Sequence, residues 1–223
     1  MPATPPSATT PPATTPPAPS PPAVPLRDTL AAATRAQIVD AATTLFSESG
    51  YVGTSIGAIA TRAGVAVQTI YNAIGNKAAV LSAVLDAAVS GPNAPTPVPE
   101  FMAERTGAAQ DAAQFLDILA DWLLEANERA ASIHWIIRQS IAVDEDAAEL
   151  ERTRSQQRLR NYGLAAAGLR ERGGLGNGMT DDQAAATIWS IGHPSTYRAL
   201  AIDAGWTPEA YRAWLRAALA GLE

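Results

Sequence analysis

The tightest constraint in this sequence is a glycine between two short helical patterns. Residues 55–79 read SIGAIATRAGVAVQTIYNAIGNKAA. Ser55 is placed to cap a first helix, in which Ile56, Ile59 and Ala60 recur at helical spacing. Gly64 follows the last periodic residue, where a left-handed backbone costs a glycine nothing. A second helix is predicted over 67–74, with Val65, Ile70 and Ile74 on its buried side. A small residue at Ala60 lets the helices cross, Gly64 makes the turn and Ile70 locks the second helix, the order a helix-turn-helix requires. That packing leaves Val67, Gln68, Tyr71 and Asn72 pointing outward, on a helix able to enter a DNA major groove.

The surroundings are predicted to be all-α. Thr34, with Gln37 three residues on, has the form of a capping box and predicts a first helix from Thr34 to near Gly50. Its apolar face carries Ile38, Ala41, Ala42, Leu45 and Phe46. Asn76 is expected to cap a fourth helix bearing Val80, Leu81, Val84 and Leu85. The stretch GPNAPTPVP at 91–99 is a proline-rich connection and the expected domain boundary. Beyond it, helices are predicted over 111–130, 131–143, 144–172, 180–204 and 207–222. Glycines at 173–178 break the run, and His193-Pro194 ends or kinks the helix that begins at Thr180.

Composition narrows the function. Residues 1–25 are almost wholly Pro, Ala, Thr and Ser; they hold 11 of the 17 prolines and no charge, so they are expected to stay disordered. Such a tail serves as a flexible arm, has no role, or reflects an extended gene start with Val24 as the true beginning. Residues 27–91 carry four basic and four acidic residues, while 92–223 carry 12 basic and 18 acidic. Nonspecific coating of nucleic acid is therefore disfavoured, and any specific contact rests on few phosphates and gains from dimerisation. With no cysteine, disulfides and thiolate metal sites are excluded. No apolar run is long enough to span a bilayer and no signal-peptide pattern opens the chain, so the expected location is cytoplasmic, without a membrane partner.

Catalysis has little support. His134 and His193 are the only histidines, no metal-ligand spacing or phosphate-binding glycine loop occurs, and no nucleophile elbow is present. No catalytic residue, metal or cofactor is expected. The carboxylate pairs Asp144/Asp146 and Asp181/Asp182 fall at helix starts, where they complement the dipole.

The ordered set Leu45-Phe46, Gly50-Tyr51, Gly53-Thr54-Ser55, Ile59-Ala60, Ala63-Gly64-Val65, Thr69-Ile70-Tyr71 and Asn76-Lys77 resembles the N-terminal domain of TetR-type (tetracycline repressor) transcriptional regulators over residues 35–85. The resemblance implies an N-terminal helix-turn-helix DNA-binding domain (27–91) and a C-terminal helical ligand-binding and dimerisation domain (98–223). It implies base contacts from Val67, Gln68 and Asn72. Gln and Asn pair with adenine and Val67 meets a thymine methyl, so an A/T-containing half-site is expected. It implies phosphate contacts from Thr54, Ser55, Thr69, Tyr71 and Lys77.

The sequence also departs from the family pattern. Ala66 replaces the usual capping Ser or Thr, Gly57 removes a contact, and Ala73, Ile74 and Gly75 replace aromatic or polar residues. These changes thin the DNA contacts and motivate an alternative, a helical ligand-binding or protein-interaction module with weakened DNA binding.

The C-terminal half resembles the family more loosely. There the resemblance implies a homodimer through the last two helical elements, with Trp189, Tyr211, Trp214, Leu215 and Ala218 at the interface, although both tryptophans also suit ordinary core. A pocket for an unidentified small-molecule effector is expected among Phe115, Trp122, His134, Trp135, Arg138, Tyr162 and Trp189. Arg138 suits an anionic or carbonyl-bearing ligand, and His134 equally suits a satisfied core position. The expected whole is a dimeric regulator, most simply a repressor released from a palindromic double-stranded operator by a small molecule.

Overall fold

The computed structural model describes residues 26–94, 96–176 and 178–222. The tail at 1–25 lies outside them. Among the described residues ten α-helices follow in order: α1 Leu26–Gly53, α2 Ile56–Ala63, α3 Val67–Ala73, α4 Lys77–Ser90, α5 Val98–Gly107, α6 Ala112–Ser140, α7 Glu145–Glu171, α8 Asp181–Ile191, α9 Pro194–Tyr197 and α10 Pro208–Leu219. A π-helical turn, Arg198–Asp203, follows α9. No strand occurs among the described residues.

Two expectations about helix boundaries are corrected. The first helix begins at Leu26, so Thr34 lies inside it and caps nothing. Residues 28–33 contain no glycine or proline, so nothing in them stops a helix from extending toward the N-terminus. The helix does break at Gly50, whose φ of 66° lies outside helical space. Residues 112–140 form one helix rather than two, because Ala130-Ala131-Ser132 offers no breaker. The 180–204 element breaks at His193-Pro194, as expected, into α8, α9 and the π-turn. Its start is a true capping box, in which Thr180 accepts from the Gln183 backbone and the Gln183 side chain accepts from the Thr180 N–H. Asp181 and Asp182 follow Thr180 in the first turn, where their charge complements the helix dipole.

Two apolar clusters make the core. One gathers Ile38, Phe46, Ile59, Ile70 and Leu81 from α1–α4 and is completed by Ile133, Ile136 and Ile137 of α6 and Ala147 of α7. The other joins Phe115, Leu119 and Leu123 of α6 to Leu169, Ile188, Tyr211 and Leu215. Helix α6 therefore runs through both clusters, and the N-terminal head is seated on the far half of it. Polar ties reinforce the seat. The Arg129 guanidinium donates to the carbonyls of Ala88 (3.1 Å) and Val89 (2.9 Å) near the end of α4. Arg154 of α7 donates to both carboxylate oxygens of Asp86 and to Ser82.

Candidate nucleic-acid interface and effector cavities

The helix-turn-helix is built as its residues require. The Ser55 hydroxyl accepts from the Ala58 N–H at 3.1 Å and caps α2. Gly64 ends α2 in the left-handed conformation (φ 68°, ψ 29°), and Val65 N–H returns to the Ala60 carbonyl at 3.0 Å. Ile70 is fully enclosed against the head core. Ala66 precedes α3 without a side-chain cap, as its chemistry dictates. A tie not visible in the sequence pattern also holds α3, since Arg35 of α1 donates to the Ala73 carbonyl at 3.0 Å.

Helix α3 presents Val67 (44% exposed) and Tyr71 (49%) to solvent together with Gln68 and Asn72. Gln68 Nε2 donates to Asn72 Oδ1 at 2.9 Å, so the two amides form one hydrogen-bonded unit one turn apart. That unit still offers a donor and acceptors to a base edge.

The expected phosphate contacts fare unevenly. Ser55 and Tyr71 are exposed and Thr69 is half-buried. Thr54 is 2% exposed and its Oγ1 donates to the carbonyls of Leu45 (3.0 Å) and Gly50 (2.8 Å). Its hydroxyl proton is committed to the break in α1, which leaves Thr54 a structural position.

Lys77 is half-buried, with its ammonium 4.0 Å from the centroid of the Tyr51 ring. Burial lowers its pKa, opposed by the nearby Asp144 charge. The Tyr51 hydroxyl donates to Asp144 Oδ2 at 3.0 Å while Asp144 Oδ1 caps α7 through the Ala147 N–H at 2.9 Å. Beside it, Asn76 caps α4 through Oδ1 and donates from Nδ2 to Asp146 Oδ2 at 2.8 Å. Burial and the Asp144 hydrogen bond push the Tyr51 pKa well above its ordinary value. The acidic start of α7 thus clamps the start of α4. In the sequence Asp144 and Asp146 show only as a dipole complement, because their partners lie 70 to 93 residues away.

Most candidate effector residues line one of two cavities, while a small third of about 50 Å³ brings Trp122, His134 and Tyr162 together. Phe115, Trp122 and Tyr162 line an apolar one of about 480 Å³ between α5, α6 and α7, with Met102, Leu119 and Ala165. His134, Trp135 and Arg138 line another of about 360 Å³, with Glu151, Arg158, His193 and Arg198. Burial holds the His134 imidazole neutral, with its pKa lowered to about 3, and the Arg158, His193 and Arg154 charges act in the same direction. Trp189 lines none of these cavities. Its ring packs 4.7 Å from that of His193, and its Nε1 has no acceptor among the described residues.

Of the expected interface residues, Tyr211 and Leu215 are wholly enclosed within the protomer and retain no surface for a partner. Their neighbours explain this: Tyr211 packs edge-on to Tyr197 at 5.1 Å and beside Trp214 at 5.8 Å. Trp189, Trp214 and Ala218 stay partly exposed. Exposed Trp206, absent from the expected set, extends this apolar surface and meets Trp214 edge-on at 6.4 Å. No group of three His, Cys, Asp or Glu able to hold a metal occurs among the described residues. No single helix among them is long and apolar enough to cross a membrane.

A helix-turn-helix head mounted on an all-helical bundle is the class this fold defines. Residues 38–84 match the sequence profile of bacterial regulatory proteins of the tetR family. Solved structures share the fold across both halves. A Pseudomonas aeruginosa PAO1 protein described as a transcriptional regulator aligns with a TM-score of 0.64 at 17% identity, covering 84% of this chain and 89% of that one. NalD, the secondary repressor of the MexAB-OprM multidrug efflux pump in Pseudomonas aeruginosa, aligns at 0.63 and 23% identity, covering 85% and 96%. A Saccharomonospora viridis protein described as a transcriptional regulator, solved with choline bound, aligns at 0.60 and 16%, covering 83% and 95%. No curated protein matches the sequence.

Proposed function

We propose that this protein is a homodimeric, sequence-specific DNA-binding transcriptional regulator, a repressor released from a palindromic operator by a small molecule. The observation that carries the reading is the outward face of α3. Val67, Gln68 and Asn72 stand free of the core on a helix fixed by Gly64, Ile70 and Arg35. Val67 meets a thymine methyl, and the Gln68–Asn72 amides pair with adenine edges. Ser55, Thr69 and Tyr71 donate to backbone phosphates, and Lys77 joins them by leaving the Tyr51 ring. Two protomers, joined through the partly exposed faces that include Trp189, Trp214 and Ala218, set two α3 helices about one DNA turn or a multiple apart. The repressor role of NalD and the choline held by the Saccharomonospora viridis protein support the ligand-responsive part of this reading by likeness of fold.

The effector of this scheme sits in the apolar cavity between α5, α6 and α7. It must favour the protomer arrangement whose reading heads are out of register with the groove, since a ligand indifferent to the two states shifts nothing. Lys77 and Asn76 favour a second reading, a helical ligand-binding module with weakened DNA binding, because both are held by acidic or aromatic groups of the protein itself. Selection from a random duplex library at fixed salt separates the two. The regulator reading expects a palindrome to be enriched by wild type and lost in Tyr71→Ala, whereas a folded, dimeric protein that enriches nothing supports the module.

A further inference from the structure

The second cavity, bounded by α6, α7 and the α9–π segment, has a chemistry unlike that of the apolar one. Its volume of about 360 Å³ lies near the lower end for small-molecule sites, about 300–1,000 Å³. Three guanidinium groups, Arg138, Arg158 and Arg198, face only two carboxylates, Glu151 and Asp203. His193 accepts from the Ser195 backbone N–H through Nδ1 at 3.1 Å, so its neutral ring keeps its proton on Nε2 as a further donor.

The donor excess is concentrated at Arg158. Its Nη2 reaches Glu151 Oε1 at 3.1 Å and Ser155 Oγ at 3.2 Å. Its Nε is buried with no acceptor among the described residues. Leaving such a donor unpaired is costly, and an arriving acceptor relieves that cost. Trp135, 42% exposed, lines the same cavity, and the Arg198 guanidinium lies 3.9 Å from its ring centroid. Ala131 and Pro194 line it too.

We propose that this cavity binds a small organic carboxylate with a flat apolar body, its oxygens held by Arg158 and Arg138 and its body against Trp135. Arginine forks match carboxylate geometry, and the aromatic wall takes the remainder. The site also bears on the reading head. Arg154, one turn before Arg158 on α7, holds Asp86 and Ser82 of α4, and the start of α7 holds Tyr51 and Asn76. A carboxylate that draws Arg158 from Glu151 therefore acts on the helix that clamps the head.

Calorimetric titration of the full chain tests this with benzoate and phenylacetate against their neutral amides. The two carboxylates bind saturably, one per protomer, and the amides bind at least 10-fold more weakly. Arg138→Gln, at an exposed position that leaves folding intact, and Arg158→Gln each weaken carboxylate binding at least 10-fold. Ala165→Phe, which fills the apolar cavity, leaves it unchanged. Equal binding of the amides, binding that survives Arg138→Gln, loss in Ala165→Phe alone, or no saturable binding of either carboxylate overturns the proposal. The titration contains no DNA, so a chain that binds carboxylates and no duplex refutes the regulator reading while leaving this one standing.

Discussion

Acidification should destabilise this protein through His134, by an amount that follows from its environment. The imidazole is 8% exposed in the α6–α7 region. Burial first, then the charges of Arg158, His193 and Arg154, lowers its pKa from 6.5 to about 3. A base whose folded pKa is depressed contributes stability that is present above the unfolded pKa and lost as pH falls below it. Between pH 7.5 and 5.0 the unfolded chain takes up a proton at this position that the folded chain does not. The linkage integral over that interval is about 2 kcal/mol, and it hardly changes for any folded pKa below about 4. The assay is urea unfolding of wild type and His134→Gln at both pH values. Other groups, including His193 and the carboxylates, titrate in both proteins and cancel in the difference. Wild type should lose about 2 kcal/mol more than the variant over the interval. Equal losses would mean that His134 accepts a proton in the folded state, and the buried, cation-flanked environment assigned to it would be wrong.

Three further outcomes are expected. Gly64→Ala forces a Cβ into a left-handed backbone with open space around it, so only conformational strain acts, and thermal unfolding should show a loss of about 1 kcal/mol. Ala66→Ser supplies the cap that α3 lacks and should stabilise the protein by about 1 kcal/mol, where no gain would mean the α3 start is already satisfied in another way. A double-mutant cycle of Tyr51→Phe and Asp144→Asn should reveal coupling of about 1 kcal/mol across the clamp between the head and α7, and strict additivity would deny the bond.

The parts legible in the sequence are those set by local chemistry. Ser55, Gly64 and Asn76 cap or turn the helices their side chains suit, and the spacing of Ile38, Ala42 and Phe46 marks the buried face of α1. The misjudged boundaries were also local. Thr34 carries a cap's side chain inside a helix that runs past it, and Ala130-Ala131-Ser132 holds no glycine or proline to end a helix. What stayed hidden depends on contacts between distant residues. The side chain of Thr54 suits a phosphate as well as it suits the Leu45 carbonyl, and only the folded chain selects the second. Tyr211 and Leu215 lie on an amphipathic helix whose apolar stripe has the same pattern whether it meets α6 and α8 or a second copy. Division of the effector candidates into an apolar and a cationic cavity likewise follows from how α6 and α7 cross, to which no single helix's periodicity responds.

The central claim is that the outward face of α3 reads base identity, and the most direct measurement is base preference resolved by position. Binding of the selected duplex and its single-base variants would be titrated at one salt concentration for wild type, Gln68→Ala and Asn72→Ala. Each substitution should cost about 1–3 kcal/mol and relax preference at one or two adjacent positions of each half-site, leaving the others intact. A uniform loss across all sequences, or unchanged preference in both variants, would contradict the assignment of base reading to this face.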